Sequence, residues 1–373
     1  MKKRILHLIT RLPTGGAEHL LASIVRHLDA ERYESLVCCI QDRGELADMI
    51  EAGGVKVISL DRRGKRFSPG TVLALARLMR EQRIDLVHCH LYHANLYGRL
   101  AARLASIPAI ATVHNTYVRR KWHRSLLNRW LGRGRGLVIA VSAEARDDVI
   151  KHDRLAPERV LLLPNGIDLG RVDTPLTQAA AKERLGYVAD DFLIGCVGRL
   201  EAQKGHIHII AALGRMLQMA PAELGRRLRL LIVGEGRLRS DLERAIADAG
   251  LGDKVRLAGT RSDVAEILRS LDLYAMPSLW EGLSLAMLEA MAAGLPLIIS
   301  DVGGAAEVLG DNEFGVRVPP GNVDALARAM LVLATDDAER QRLGRAARQR
   351  VREHYDLRER VARLAACYDA LLA

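Results

Sequence analysis

Apolar residues in this chain follow two alternating patterns. Short unbroken runs read as buried strands, and longer stretches with an apolar position every three or four residues read as amphipathic helices. The first run is Arg4–Thr10; Gly16–Leu28 follows, with Leu20, Leu21, Ile24, Val25 and Leu28 on one side. Further strands are expected at Glu34–Ile40, Lys56–Ser59, Leu86–Cys89, Ala109–Val113, Gly136–Ser142 and Val160–Leu163, with helices near 44–53, 69–82, 93–105, 123–132 and 143–151. After P-N-G-I-D (Pro164–Asp168) a polar and helical stretch interrupts the rhythm. A second series then runs through Phe192–Val197, Leu228–Val233, Val255–Ala258, Leu273–Met276, Leu297–Ser300 and Gly315–Val318. Its helices fall near 204–219, 235–250, 263–270, 284–293, 304–309 and 322–335. Such alternation implies parallel strands joined by helical crossovers. The pattern predicts an α/β chain of two Rossmann-like domains facing across a cleft, residues 1–165 and 166–354, with a hinge near 165–190. The last helical stretch, 355–373, is expected to pack back on the first domain.

Length agrees, since 373 residues exceed what one ordinary core organises. With 49% hydrophobic and 27% charged residues the composition is that of a soluble globular protein, and no apolar run reaches the roughly 18 residues of a membrane span. The start, M-K-K-R-I-L-H-L-I-T, is basic, but its apolar part is short and no small-residue cleavage site follows, so it reads as a strand and not a signal peptide. Of the five cysteines, Cys38, Cys39, Cys89 and Cys196 sit in strand-like runs, which fits reduced structural thiols and a cytoplasmic location.

The net charge of +10 changes the picture by implying an anionic partner: nucleotide, nucleic acid or acidic lipid. Seven basic residues crowd the segment from Arg119 to Arg135 (Arg119, Arg120, Lys121, Arg124, Arg129, Arg133, Arg135), interleaved with Trp122, Leu126, Leu127, Trp130 and Leu131 at helical spacing. Arg62, Arg63, Lys65 and Arg66 form a second cluster. Two readings stay open: a helix packed on the sheet with a solvated basic face, or an interfacial helix on acidic lipid. Nucleic acid is disfavoured, because only 4% of residues are aromatic and no recognition motif is visible.

The candidate chemistry centres on Pro277–Pro296, P-S-L-W-E-G-L-S-L-A-M-L-E-A-M-A-A-G-L-P. A loop delivers Glu281, a helix starts near Leu283 or Ser284 and carries Glu289, and Gly294 and Pro296 stop it. Eight residues at helical rise would separate the carboxylates by about 12 Å, too far for an acid/base pair. That spacing suits a ligand with hydroxyls at both ends and an anion between, held at the positive helix N-terminus. The bland alternative is two solvated glutamates on an amphipathic helix.

Ligands in open α/β sheets bind beyond the carboxyl ends of the strands, and the other candidates lie there. T-G-G-A-E (Thr14–Glu18) offers Gly15 and Gly16 for close backbone approach. G-C-V-G-R-L-E-A-Q-K-G (Gly195–Gly205) delivers Arg199 and Lys204, a pyrophosphate clamp or else a solvated basic loop. Neither it nor Gly234-Glu235-Gly236 is G-x-G-x-x-G, which argues against a nicotinamide site. Arg261 precedes Asp263, and Asp263 with Glu266 reads as a capping box. His114-Asn115 ends the strand A-I-A-T-V; the histidine is either structural or in contact with the transferred group. His88-Cys89-His90 with His93 looks superficially like a metal set. Neighbours on a strand point to opposite faces, so Cys89 cannot join both histidines, and His90 is assigned to the acceptor side.

Taken in order, G-G-A-E, V-H-N (Val113–Asn115), P-N-G-I-D, G-R-L-E-A-Q-K-G (Gly198–Gly205), G-T-R-S-D-V (Gly259–Val264), E-G-L-S-L-A-M-L-E and the C-terminal helix resemble the retaining glycosyltransferases of family 4, with the GT-B fold. The resemblance covers nearly the whole chain. It implies transfer of a hexose-type sugar from a nucleotide diphosphate sugar to a glycan or lipid-linked acceptor, with no metal and no cofactor. It places Arg199 and Lys204 on the diphosphate, Glu281 on donor-sugar hydroxyls, Glu289 on the ribose and His114 at the donor sugar. Arg261, Gly16 and the backbone of Gly282, Leu283 and Ser284 complete the donor side, and Gly15, His90 and Asn115 the acceptor side. With the basic clusters, it implies a peripheral enzyme of surface-glycan assembly at the inner face of the plasma membrane. A sugar-nucleotide epimerase and a non-enzymatic nucleotide-sugar or membrane-surface binding protein are the alternatives.

Overall fold

The computed structural model describes residues 2–64, 67–115 and 122–373, the last range without the side chains of Trp122 and His123. Of the basic positions singled out above, Arg119, Arg120, Lys121, Lys65 and Arg66 lie outside the described residues. The chain divides into two compact units, Met1–Gly166 with Leu357–Ala373, and Ile167–Asp356.

The first unit holds a seven-stranded sheet of β1 (Lys3–Ile9), β2 (Tyr33–Cys39), β3 (Lys56–Ser59), β4 (Leu86–His90), β5 (Ala109–Val113), β6 (Gly136–Ala140) and β7 (Val160–Leu162), in the order β3-β2-β1-β4-β5-β6-β7. Every pairing is parallel. The second unit holds β8 (Phe192–Val197), β9 (Leu228–Val233), β10 (Val255–Leu257), β11 (Leu273–Met276), β12 (Leu297–Ser300) and β13 (Val316–Val318), in the order β10-β9-β8-β11-β12-β13, again all parallel. Strands such as Leu86–His90 and Leu273–Met276 are buried along their whole length, as parallel strands covered on both faces must be.

In each unit the strand order reverses once, between β1 and β4 and between β8 and β11. Crossovers leave in opposite directions there, so the loops at the carboxyl edge part and open a crevice. The loops that carry Gly15 and Gly16 and follow His90 flank the first switch point. Those that carry Lys204 and Glu281 flank the second.

The helix Leu357–Leu372 packs on the first unit. Tyr33 Oη donates to Asp369 Oδ1 (2.6 Å), Arg32 pairs with the same carboxylate, and Arg360 Nε donates to the Pro164 carbonyl (2.9 Å). Several element assignments differ from expectation, among them an unforeseen short helix at Ala222–Arg227. The helix foreseen at 204–219 starts at His206, because Ala202–Lys204 forms a tight turn closed by Gly205 at φ +63°. The Asp263 side chain accepts no capping bond from the helix Val264–Ser270; its carboxylate accepts from both Arg261 Nε (2.8 Å) and Nη2 (2.6 Å), while Glu266 pairs with Arg184 (2.8 Å). A long helix, Asp337–His354, follows the last sheet strand where the sequence reading placed none.

Candidate active site

Two loops meet at the switch point of the second unit. Gly198–Gly205 leaves β8, and Pro277–Ser284 leaves β11 and enters the helix Leu285–Ala292. Two hydrogen bonds stitch them: Leu279 N donates to the Gln203 carbonyl (2.7 Å), and the side-chain Gln203 Nε2 donates to the Trp280 carbonyl (2.9 Å). Gly205 fits because it lacks a side chain, since a Cβ there would stand 2.1 Å from the Pro277 carbonyl oxygen.

This seam brings Lys204 and Glu281 into contact as a nearly buried ion pair, the side chains 16% and 9% exposed. Glu281 Oε1 also accepts from Ser278 Oγ (3.0 Å), and Oε2 from Gln203 Nε2 (3.4 Å). The carboxylate is thus held from three sides. Behind it, Gly304 N donates to the Gly282 carbonyl (2.6 Å), and Gly303, at φ +60°, lies so close that a Cβ would stand 2.3 Å from that same oxygen. Ser284 caps the helix, its Oγ accepting from Met287 N (3.4 Å). Gly282 and Leu283 are buried beside it.

Because the helix begins at Leu285, Glu281 lies in the loop before it, and helical rise does not measure the Glu281–Glu289 separation. Both carboxylates nonetheless act electrostatically on Tyr274 of β11. Burial pushes that phenol well above its usual range, and the charges of Glu289 and Glu281 add to the push. Glu289 is half-buried; its surroundings raise its carboxyl, which Arg171 partly opposes. Arg199 is exposed and has no ion-pair partner among the described residues, so its guanidinium is available to an anion. Arg261 is not available in the same way, being clamped by Asp263. Next to Lys204, His206 is buried, with neither ring nitrogen hydrogen-bonded and its pKa lowered to about 4 by burial.

At the switch point of the first unit, Gly15 and Gly16 open the helix Gly16–His27. His90 ends β4, and His114 and Asn115 follow β5; the His90 and His114 rings are 5.7 Å apart. His7, Thr112 and Tyr368 join this cluster without having been singled out in the sequence. His7 of β1 stands in register with His88, and His90 with Thr112, so all share one sheet face. His88 lies between the hydroxyls of Tyr368 and Thr112, each 2.7 Å from a ring nitrogen; a neutral imidazole donates to one and accepts from the other. Burial lowers His7 and His114 to about 3 and drives His88 and His90 well below the usual range, with buried Arg360 reinforcing the last three. His7, His88 and His90 bring ring nitrogens within 4.8 Å of one another. Cys89 points the other way, into the core with Leu6 and Leu8, and His93 is exposed. Beyond His90 the backbone passes through Leu91 at φ +68°, ψ 166°, a region that costs a non-glycine residue about 1–3 kcal/mol.

No helix among the described residues is long and apolar enough to cross a membrane. The family model described as Glycosyl transferases group 1 matches residues 177–350, and the one described as Glycosyltransferase Family 4 matches residues 14–171. The Escherichia coli UDP-Gal:alpha-D-GlcNAc-diphosphoundecaprenol alpha-1,3-galactosyltransferase is 30% identical over 310 residues, covering 80% of this chain and 78% of its own. The 2-deoxystreptamine glucosyltransferase of Streptomyces kanamyceticus is 31% identical, covering 70% of this chain and 71% of its own. The crystal structure of Anabaena HepE in complex with UDP and glucose superposes with a TM-score of 0.86 at 22% identity, over 99% of this chain and 100% of that one. Two parallel-sheet units, matched family models in the same order and relatives of this identity and coverage agree: the chain belongs to the family 4 glycosyltransferases, enzymes of GT-B type.

Proposed function

We propose that the chain is a retaining, metal-independent hexosyltransferase that uses a uridine diphosphate sugar and delivers the sugar to a glycan or lipid-linked acceptor in surface-polysaccharide assembly. The observation that carries this reading is the Lys204–Glu281 pair at the switch point, beside the exposed Arg199 guanidinium and the capped N-terminus of the helix Leu285–Ala292. A departing diphosphate needs fixed positive charge where its own charge develops. Lys204, Arg199 and the helix N-terminus supply it without a metal ion. Entry of the diphosphate lets Lys204 share its charge between phosphate and Glu281, and frees Glu281 to accept from sugar hydroxyls. Glu289 takes the ribose hydroxyls, and the backbone of Gly282–Ser284 the phosphates.

Glu281 is held by Lys204, Ser278 and Gln203, which blunts it as a nucleophile, so retention is assigned to attack on the same face as the leaving phosphate. Gly15, Gly16, His90, His114 and Asn115 are assigned to the acceptor and the transferred sugar. Neutral His114 and His90 would act there as hydrogen-bonding groups, since their burial disfavours the imidazolium. The uridine base and the lipid diphosphate acceptor are supported by the names of the relatives, and a peripheral membrane position by exposed Leu126 and Trp130 on the arginine-bearing helix Trp122–Gly132.

The test is incubation with a panel of UDP-hexoses and a GlcNAc-diphosphoryl lipid in excess EDTA, with NMR of the product. The reading expects acceptor-dependent transfer with the anomeric configuration kept. Conversion of donor without acceptor would indicate an epimerase, and intact donor with every acceptor a binding protein; either result overturns it.

A further inference from the structure

The first unit carries a second charged site, on the edge of its sheet away from His90 and His114. A cavity of about 650 Å³ opens where β5 and β6 begin, bordered by Arg99, Arg103, Arg133, Arg135 and Arg159. No carboxylate lines it among the described residues. Leu137, Leu155 and Leu371 provide apolar wall, and the size falls in the range of small-ligand pockets.

Five guanidiniums around one hollow repel one another, so the first question is whether the protein compensates them. The helices Tyr92–Ala105, Trp122–Gly132 and Leu357–Leu372 end here, each contributing about half a negative charge from its unpaired carbonyls. Asp153 acts on Arg99 with one more. Roughly two to three positive charges remain uncompensated, by that same allowance for the helix ends. Arg99 is 9% exposed, and burial lowers its pKa to about 10, so the fold holds a desolvated cation at the back of the cavity.

The other arginines are arranged with donors to spare. Arg103 stacks on Trp130, its guanidinium carbon 4.1 Å from the ring centroid, which uses its face and leaves the N–H edge available. Arg159 spends Nη1 on the carbonyls of Gly134 (3.2 Å) and Gly136 (3.0 Å), and so fixes the loop that presents Arg133 and Arg135. Those two are exposed and have no ion-pair partner among the described residues.

We propose that this cavity is a second anion site, distinct from the donor site, that takes a phosphoryl group, either a soluble diphosphate or the phosphodiester of a lipid headgroup. Planar forks converging on one hollow match phosphate oxygens in pairs. The proposal rests on the first unit alone and does not depend on the donor reading.

The experiment uses the full chain carrying Arg199→Ala and Lys204→Gln, which removes the proposed diphosphate grip of the donor site while a glutamine can still donate to Glu281. Inorganic pyrophosphate is titrated calorimetrically, and sedimentation is measured with phosphatidylcholine vesicles with and without phosphatidylglycerol. The same chain with Arg133→Gln and Arg135→Gln added is the comparison; both side chains are exposed, and a melting curve checks that the fold persists. We expect pyrophosphate or phosphatidylglycerol vesicles to bind, and the added substitutions to weaken that binding about tenfold or more. Pyrophosphate binding identifies a soluble ligand, and phosphatidylglycerol-dependent sedimentation a headgroup. Binding of neither probe, or equal binding by both chains, overturns the proposal. Pyrophosphate binding equal in wild type and the Arg199→Ala, Lys204→Gln chain would instead count against the donor reading and leave this comparison intact.

Discussion

Lys204 pairs with the carboxylate of Glu281 in this structure and is proposed to hold a diphosphate during turnover, and its removal should separate the two roles. Lys204→Ala is expected to lower kcat by about 10²–10³, the usual cost of losing one stabilising donor. The same change should shift the melting midpoint by a few degrees, since Ser278 and Gln203 still hold Glu281. A steady-state assay beside a melting curve checks both, and a loss of stability matching the loss of rate would make Lys204 a structural residue. Glu289→Ala should weaken UDP binding about tenfold or more, as hydrogen bonds to a charged group are worth about 1.5–3 kcal/mol; an unchanged dissociation constant would remove Glu289 from the ribose. The placement of Arg199, Lys204 and Glu281 in loops after strands, and of Glu289 on a helix, was legible because apolar runs mark the strand ends and the helix start. Ser278, Gln203 and His206 were not, since a polar residue in a loop, or a histidine opening an apolar helix, leaves no periodic trace.

At the scale of elements, the seam between the Gly198–Gly205 and Pro277–Ser284 loops depends on a turn that only glycine makes comfortably. Gly205→Ala places a Cβ against the Pro277 carbonyl at a left-handed φ, and should cost about 2 kcal/mol or more while opening the Lys204–Glu281 contact. The melting midpoint is expected to fall by several degrees with donor affinity; a neutral substitution would show that the two loops are not coupled. All the expected strands appeared, because apolar runs between glycine turns leave little alternative. The helix Asp337–His354 escaped because its buried stripe is thin: Leu343, Ala347 and Val351 among many charged residues. Its start was readable only in retrospect, Asp336 accepting from Glu339 N (2.9 Å). The capping box at Asp263 misled for a different reason. A neighbouring arginine offers a carboxylate two charge-assisted bonds, and these won over one backbone N–H.

For the whole chain, the first unit is completed by the last residues of the sequence, which bring Tyr368 and Arg360 onto a face of neutral histidines. Tyr368→Phe strips His88 of a buried partner and should cost about 1–3 kcal/mol, read as a lower melting midpoint. The same histidines make the protein acid-sensitive. His7 takes a proton in the folded chain only near pH 3, against 6.5 when unfolded, and His88, His90 and His114 shift the same way. Between those values the unfolded chain binds more protons, so stability falls as pH drops below about 6.5 and recovers toward neutrality. Melting midpoints across pH 5 to 8 should slope accordingly, and a flat profile would mean the histidines are hydrated. The most direct check of the central claim is calorimetric titration of UDP into the wild-type chain and into Arg199→Ala, Lys204→Gln and Glu289→Ala. An affinity weakened about tenfold or more by each substitution is expected; affinity unchanged in all three would contradict the donor assignment.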